Sequence, residues 1–377
     1  MKIAQVAPLW ESVPPKLYGG TERIVSYITE ELVKLGHDVT LFASGDSETA
    51  ARLEAICPQA LRLNTGIFNR DAPIIMQQER ALGTTKDFDI IHSHLDFIGF
   101  PIARRNTVPV VTTLHGRLDL PELEPVFREF SEMPLVSISD AQRRPLPWAN
   151  WAGTIHHGLP RDLYTFHQKA EGYLAFLGRM SPEKKPDQAI EIAKRVGLPL
   201  RMAAKVDPAD QKYFEAEVEP LLDHPLIEFI GEISDADKDE FIGNAAALVC
   251  PYDWPEPFGL VLIEALACGT PVLAYRRGSI PEIIDHGVTG FVCETLSEMV
   301  EAVGQVHRID RHRCREAFDA RFTADRMARD YVALYERIIE ERTVQTAPVA
   351  QSLGARQVSG DTLKTGRRQG TPVLGRG

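Results

Sequence analysis

The stretch 256-EPFGLVLIEALACGTPVLA-274 decides how this chain is read. One glutamate stands just before an apolar run, a second, Glu264, sits inside it, and Cys-Gly-Thr-Pro closes it. Residues 258–268 predict a helix. Pro255 and Pro257 flank its start, where a missing amide hydrogen does no harm. Gly269 ends it and Pro271 bars its continuation. The run is apolar nearly all round, so the helix is expected to be buried. A carboxylate inside a buried helix is costly unless it is partnered or faces a polar cavity. Glu264 therefore needs either a structural partner, such as an arginine, or a ligand.

Outward from that stretch the pattern alternates. A strand at Lys2–Ala7 leads through Gly19-Gly20 to a helix from Thr21 to Leu35, whose apolar positions repeat every 3.6 residues. Gly36 stops it, and "HDVTLFA" is a second strand. Further strands are expected at "DIIHSH", "VPVVTTLH", "LVSIS" and "GTIHHG". The pattern restarts at "YLAFLGRM", with a helix at "PDQAIEIAKRVG" and strands at "PLRMAAK", "IEFIGEI", "AALVCPY", "TPVLAYR" and "GFVCE". Strands alternating with helices predict parallel sheets covered on both faces. The expected class is α/β with two doubly wound, Rossmann-like domains facing a central cleft, at residues 1–165 and 166–320. Residues 321–344 form a last amphipathic helix that crosses back to the first domain. Ligands in such sheets bind beyond the carboxyl ends of the strands.

Residues 345–377 are poor in large apolar side chains and cannot bury enough surface to offset their ordering entropy, so a disordered tail is expected. Its five basic residues (Arg356, Lys364, Arg367, Arg368, Arg376) against Asp361 describe a solvated tail, or a docking segment for an acidic partner or membrane surface.

Bulk composition excludes several classes. The 377 residues suit two domains of ordinary size. Hydrophobic residues at 44% and charged residues at 25% describe a globular chain with no run long enough to span a membrane. The opening residues lack a secretory-signal pattern. A net charge of -11 argues against wholesale nucleic-acid binding. The scattered cysteines (Cys57, Cys250, Cys268, Cys293, Cys314) form no CxxC pair and suggest reduced thiols in the cytoplasm. Nothing sets an oligomeric state.

The helix start offers a second reason for Glu264. Free amides and the positive dipole end attract anions, phosphate above all, and Gly259 permits close backbone approach. Eight residues along an ideal helix separate the two carboxylates by roughly 12 Å. That is wide for a pair acting on one bond, which retaining glycosidases hold about 5 to 5.5 Å apart. It suits two carboxylates gripping hydroxyls at opposite ends of an extended ligand. A nucleotide sugar, with a sugar, a diphosphate and a ribose, has that form.

Here the chain resembles the family 4 retaining glycosyltransferases, which have the GT-B fold. "EPFGLVLIEA" is similar to their E-x7-E signature. The resemblance runs over about residues 1–340, through "YGGTERIVSYITEELVKLGHDVTLFASG", "TLHG" at 113–116, "GRMSPEKK" at 178–185, "FIGEI" at 229–233 and "EALACGTPVLAYRRGSIPEIIDHGVTGFV" at 264–292. It implies Arg179 and Lys184 as a clamp on the diphosphate, with Lys185 where many relatives have glycine. It implies Gly19 and Gly20 as a loop reaching the donor phosphate, Glu264 as the ribose ligand, and Glu256 as the ligand of the transferred sugar. Backbone amides near Phe258, Gly259 and Leu260 assist Glu256, and His115 contacts the donor sugar. Ile230, in "FIGEI", is taken as a further donor-binding residue. His92, His94, His156 and His157 receive no role, and "IHSH" is a poor metal pair.

The implied reaction is metal-independent transfer of a sugar, glucose or a related hexose, from a UDP-linked donor to a hydroxyl. Configuration is retained, with no cofactor beyond the donor substrate. The acceptor walls are expected at residues 51–82 and 117–134. The acidic side chains Asp119, Glu122, Glu124, Glu129 and Glu132 favour a soluble acceptor over a lipid. A nucleotide-sugar 2-epimerase and a non-catalytic nucleotide-sugar-binding protein are the competing readings. The first lacks its family's pattern, and the second predicts loss of clamp residues that are all present.

Overall fold

The computed structural model describes residues 1–16, 19–62, 64–83 and 87–346. The tail expected over 345–377 thus lies outside the described residues from 347 onward. Among the described residues the strands form two wholly parallel sheets. The first contains β1 (Lys2–Val6), β2 (Asp38–Ala43), β3 (Arg52–Ala55), β4 (Ile90–Ser93), β5 (Val110–Thr113), β6 (Leu135–Ser137) and β7 (Trp151–Thr154), in the spatial order 3-2-1-4-5-6-7. The second contains β8 (Leu174–Arg179), β9 (Leu200–Lys205), β10 (Ile227–Gly231), β11 (Ala247–Cys250), β12 (Val272–Tyr275) and β13 (Gly290–Cys293), in the order 10-9-8-11-12-13. These are two doubly wound halves of the expected class.

In each sheet the order reverses at one point, between β1 and β4 and between β8 and β11. A doubly wound sheet opens its binding crevice at that reversal, because the connections leave on opposite faces. The loop after β1 carries Gly19, with Gly20 opening the helix that follows, the loop after β8 carries Lys184, and the loop after β11 carries Glu256. Topology alone therefore sends the sequence-selected residues to the two crevices.

Helix Leu260–Cys268 starts two residues later than the periodicity suggests. Gly259 takes φ +86°, a left-handed conformation that glycine adopts freely, and no side chain caps the helix start. Glu256 thus lies in the preceding loop, so the ideal-helix spacing between the two glutamates does not apply. Leu262, Ile263, Leu266 and Cys268 are fully buried in the core of the second half.

The chain crosses between the halves twice, side by side. Leu159 N donates to Phe322 O (2.9 Å) and Ala324 N donates to Leu159 O (2.8 Å). Gly158 lies so close to Thr323 that a Cβ there would overlap its carbonyl. The final helix, Ala324–Thr346, then packs on the first half. Met327, Tyr331, Leu334, Tyr335 and Ile338 share a core with Ile3, Ile24, Ile28, Ile90 and Val111.

Candidate active site

A cleft of about 590 Å³ lies between the two halves. Its walls include Gly19, Gly20, His115, Arg179, Lys184, Glu256, Phe258, Gly259, Leu260 and Glu264, residues spread over most of the sequence. Ile230 is the exception. In β10 the register with β9 shifts between Phe229 and Gly231, leaving Ile230 as the extra residue of a bulge. Its side chain is 43% exposed and outside the cleft, where Glu232 and Ile233 stand instead.

Lys184 and Glu256 form an ion pair at the floor. The ammonium lies 3.8 Å from the Tyr252 ring centroid and 5.3 Å from that of Trp254, so aromatic faces as well as a carboxylate hold it. Trp254 Nε1 donates to the same Glu256 oxygen (3.0 Å). Glu256 is only 8% exposed, and these two partners make its charge tolerable there. Arg179 ends β8 and donates to Glu183 (2.7 Å), with Asp210 at 3.6 Å. Lys185 follows with φ +51°, in the region that glycine occupies without strain.

Glu264 is 4% exposed, and the partner it requires is a lysine. Lys238 Nζ approaches it at 3.3 Å and Asp235 at 3.0 Å. Asp235 in turn pairs with Arg23 of the first helix. An ion-pair chain therefore runs across the cleft from Arg23 to Glu264. Gly20 also faces helix Leu260–Cys268, since a Cβ on it would sit 3.6 Å from Leu260 Cδ1. The Gly19-Gly20 loop thus reaches the uncapped helix start, and two sources of free amides border one space.

His115 extends from β5 into the cleft. Burial holds its imidazole well below the ordinary range, at about 3, so it is neutral near pH 7. Gln5 Nε2 donates to Tyr335 OH (3.2 Å), and Gln5 Oε1 accepts from His94 Nε2 (2.9 Å). Burial also keeps His94 neutral, so it accepts at Nδ1 from His115 Nε2 (2.9 Å). That leaves His115 Nδ1 with a bare lone pair and no protein partner. His157, which the sequence left without a role, stacks on His115 with centroids 5.2 Å apart and lines the cleft.

The predicted acceptor walls contribute less than expected. No residue of 117–134 lines the cleft, and among the described residues of 51–82 only Arg62 does. The acidic side chains of 117–134 are largely spent in ion pairs: Asp119 with Arg117, Glu124 with Arg128, and Glu129 and Glu132 with Arg104. Trp10, Glu11, Lys16 and Lys205, which the sequence did not single out, also line the cleft. No helix among the described residues is long and apolar enough to cross a membrane.

Two crevices facing each other, with cations and free amides between two carboxylates, form a cleft of the GT-B type. Family models agree: residues 18–157 match Glycosyltransferase Family 4 and residues 165–317 match Glycosyl transferases group 1. The chain belongs to this family and is an enzyme that transfers a sugar from a nucleotide sugar. It is 25% identical to D-inositol 3-phosphate glycosyltransferase of Gordonia bronchialis, over 93% of this chain and 90% of that protein. It is 31% identical to N-acetyl-alpha-D-glucosaminyl L-malate synthase of Bacillus anthracis over a shorter stretch, 31% of this chain and 35% of that one. Among solved structures, Anabaena HepE in complex with UDP and glucose shares the fold. Its TM-score is 0.68 at 19% identity, covering 89% of this chain and 100% of that one.

Proposed function

We propose that the chain is a retaining hexosyltransferase that moves glucose, or a related hexose, from a UDP-linked donor to an acceptor hydroxyl without a metal ion. The observation that carries this reading is the Lys184–Glu256 pair set beside the uncapped start of helix Leu260–Cys268. The HepE structures in complex with UDP and glucose and with UDP-glucose support the choice of donor. All five cysteines are free, which fits a reducing compartment such as the cytoplasm.

In this reading Arg179 and Lys184 hold the diphosphate, Arg179 as a fork and Lys184 as a point charge. The amides of the Gly19-Gly20 loop and the helix start share that load. Glu264 accepts from the ribose hydroxyls. Glu256 accepts from the transferred sugar, and His115 Nδ1, with its free lone pair, accepts from another of its hydroxyls. The acceptor oxygen attacks the anomeric carbon on the face the leaving group vacates. The bond from that carbon to the phosphate oxygen breaks, and the departing diphosphate takes the acceptor's proton. Catalysis is then positioning together with stabilisation of the charge that grows on the diphosphate.

Calorimetric titration with UDP-, GDP- and ADP-glucose, UDP-N-acetylglucosamine and GDP-mannose tests this. UDP-glucose is expected to bind best. Glu264→Gln should weaken it by about tenfold or more, the range of a hydrogen bond to a charged group. Tighter binding of a GDP- or ADP-linked sugar would refute the donor assignment. Undiminished binding by Glu264→Gln would make that carboxylate structural.

A further inference from the structure

The donor groups leave one wall of the cleft without a role. Trp10 and Glu11 lie in the loop after β1 and Arg62 in the segment after β3, so three side chains of the first half meet there. Glu11 is almost fully buried, yet its carboxylate lines the cleft and pairs with Arg62. Burial raises its pKa, opposed by Arg62 and, from the other half, by Lys205. Glu22 accepts a hydrogen bond from the Glu11 backbone and so holds the loop in place. A desolvated ion pair gives a fold little that apolar side chains of the same volume could not. Its place on a cavity wall points to a ligand.

Trp10 is built differently. Its indole is 44% exposed, has the Arg70 guanidinium 5.9 Å from its ring centroid, and borders both the cleft and a second depression formed with Phe68, Asn69 and Arg70. The exposed part of an indole beside a carboxylate–guanidinium pair is complementary to a ring with C–H bonds on one face and hydroxyls at its edge. The C–H face covers the indole, a hydroxyl donates to Glu11, and its oxygen accepts from Arg62.

We propose that Trp10, Glu11 and Arg62 form the acceptor subsite, and that the acceptor is a hydroxylated ring, a saccharide or cyclic polyol, with one hydroxyl turned by Glu11 toward the donor. This rests on the reading of the cleft as a nucleotide-sugar site. Continuity supports it: the same indole edges the donor cleft and the depression outside it, so a ring stacked there has its hydroxyls at the cleft mouth.

Saturation-transfer NMR on the full chain with UDP bound tests the assignment. The probes are methyl β-D-glucopyranoside, methyl α-D-mannopyranoside and myo-inositol, with hexan-1-ol and phenol as apolar comparators. At least one ring polyol is expected to take up saturation. Trp10→Ala and Glu11→Gln should each weaken its binding by about tenfold, and Trp10→Phe should restore most of it. UDP affinity and melting temperature report whether each variant is folded. Trp10, being exposed, keeps the test decisive if Glu11→Gln unfolds. The proposal is overturned if UDP binds but no polyol is saturated, if Trp10→Ala binds polyol as the wild type does, or if only the apolar comparators are saturated. Failure of the wild type to bind UDP, GDP or ADP at all would remove the donor reading first, and this subsite with it.

Discussion

Lys184→Met is the sharpest perturbation the site offers. Methionine is one atom shorter but keeps a flexible apolar side chain beside the Tyr252 ring, over whose centroid the ammonium sits at 3.8 Å, and removes the ammonium with its charge. Departure of UDP from a UDP-linked sugar adds one negative charge to the diphosphate. A unit charge about 4 Å away contributes about 4 kcal/mol at an effective dielectric constant of about 20. The cleft is open to water and Glu256 draws on the same ammonium, so half to three-quarters of that, about 2 to 3 kcal/mol, is the expected loss. Turnover should fall by about 30- to 150-fold. The Michaelis constant for the donor should rise less, because only the growing charge is felt in the transition state alone. The assay is UDP release from saturating UDP-glucose, with the melting temperature followed in parallel. Glu256 keeps the Trp254 indole N–H as a partner, so the fold should survive with a loss of about 1 to 3 kcal/mol. A folded Lys184→Met variant whose turnover stays within about twofold of wild type would remove the lysine from leaving-group stabilisation.

Three other outcomes follow from the structure. Gly158→Ala forces a methyl group into the Thr323 carbonyl where the two crossings run side by side, and should destabilise the fold by about 1 to 3 kcal/mol; an unchanged urea midpoint would show that the crossings can separate freely. Lys185→Gly relieves the left-handed residue at φ +51° and should stabilise by up to about 1 kcal/mol, read from the same midpoint, whereas a loss would mean the lysine side chain is itself holding the loop. His92, His94, His115 and His157 are all held below the usual imidazole range by burial, so the folded state stays neutral where the unfolded state takes up protons. Stability contributed by these groups is present in full above about pH 6.5 and falls as pH drops below it, for His115 down to about 3; urea midpoints that stay level between neutral and mildly acidic pH would contradict the burial.

Periodicity and punctuation carried the fold. The 3.6-residue repeat after Gly20 and the apolar runs of the second half were readable because each is long and bounded by glycine or proline. β3 was missed for the converse reason: Arg52–Ala55 is a four-residue edge strand, half-buried, with no apolar alternation. β7 was misplaced by two residues because "GTIHHG" begins inside the sheet and ends in the crossing. Ile230 shows a limit of a different kind. Its motif was legible, but a bulge changes which side chains face the cleft, and a bulge leaves no mark in a run such as "IEFIGEI".

The candidate site divides along the same line. Residues with a local signature were found: glycines that need unusual backbone, a carboxylate inside an apolar helix, cations after a strand. Their partners were not, because each belongs to a different crevice loop or to the other half. Lys184 and Glu256 are far apart in sequence and meet only because the loops after β8 and β11 flank the same reversal in strand order. The sequence demanded a partner for Glu264 and suggested arginine; the fold supplies Lys238, which Asp235 holds and Arg23 joins to the first half. The ribose carboxylate of the proposed site is therefore held within the second half, one ion pair away from the contact between halves. Separating the two halves must break the Arg23–Asp235 pair, while Asp235, Lys238 and Glu264 stay together on the second half. Glu11 and Arg62 escaped notice for the same reason. Neither has a local signature, and only the juxtaposition of the loop after β1 with the segment after β3 makes them a pair.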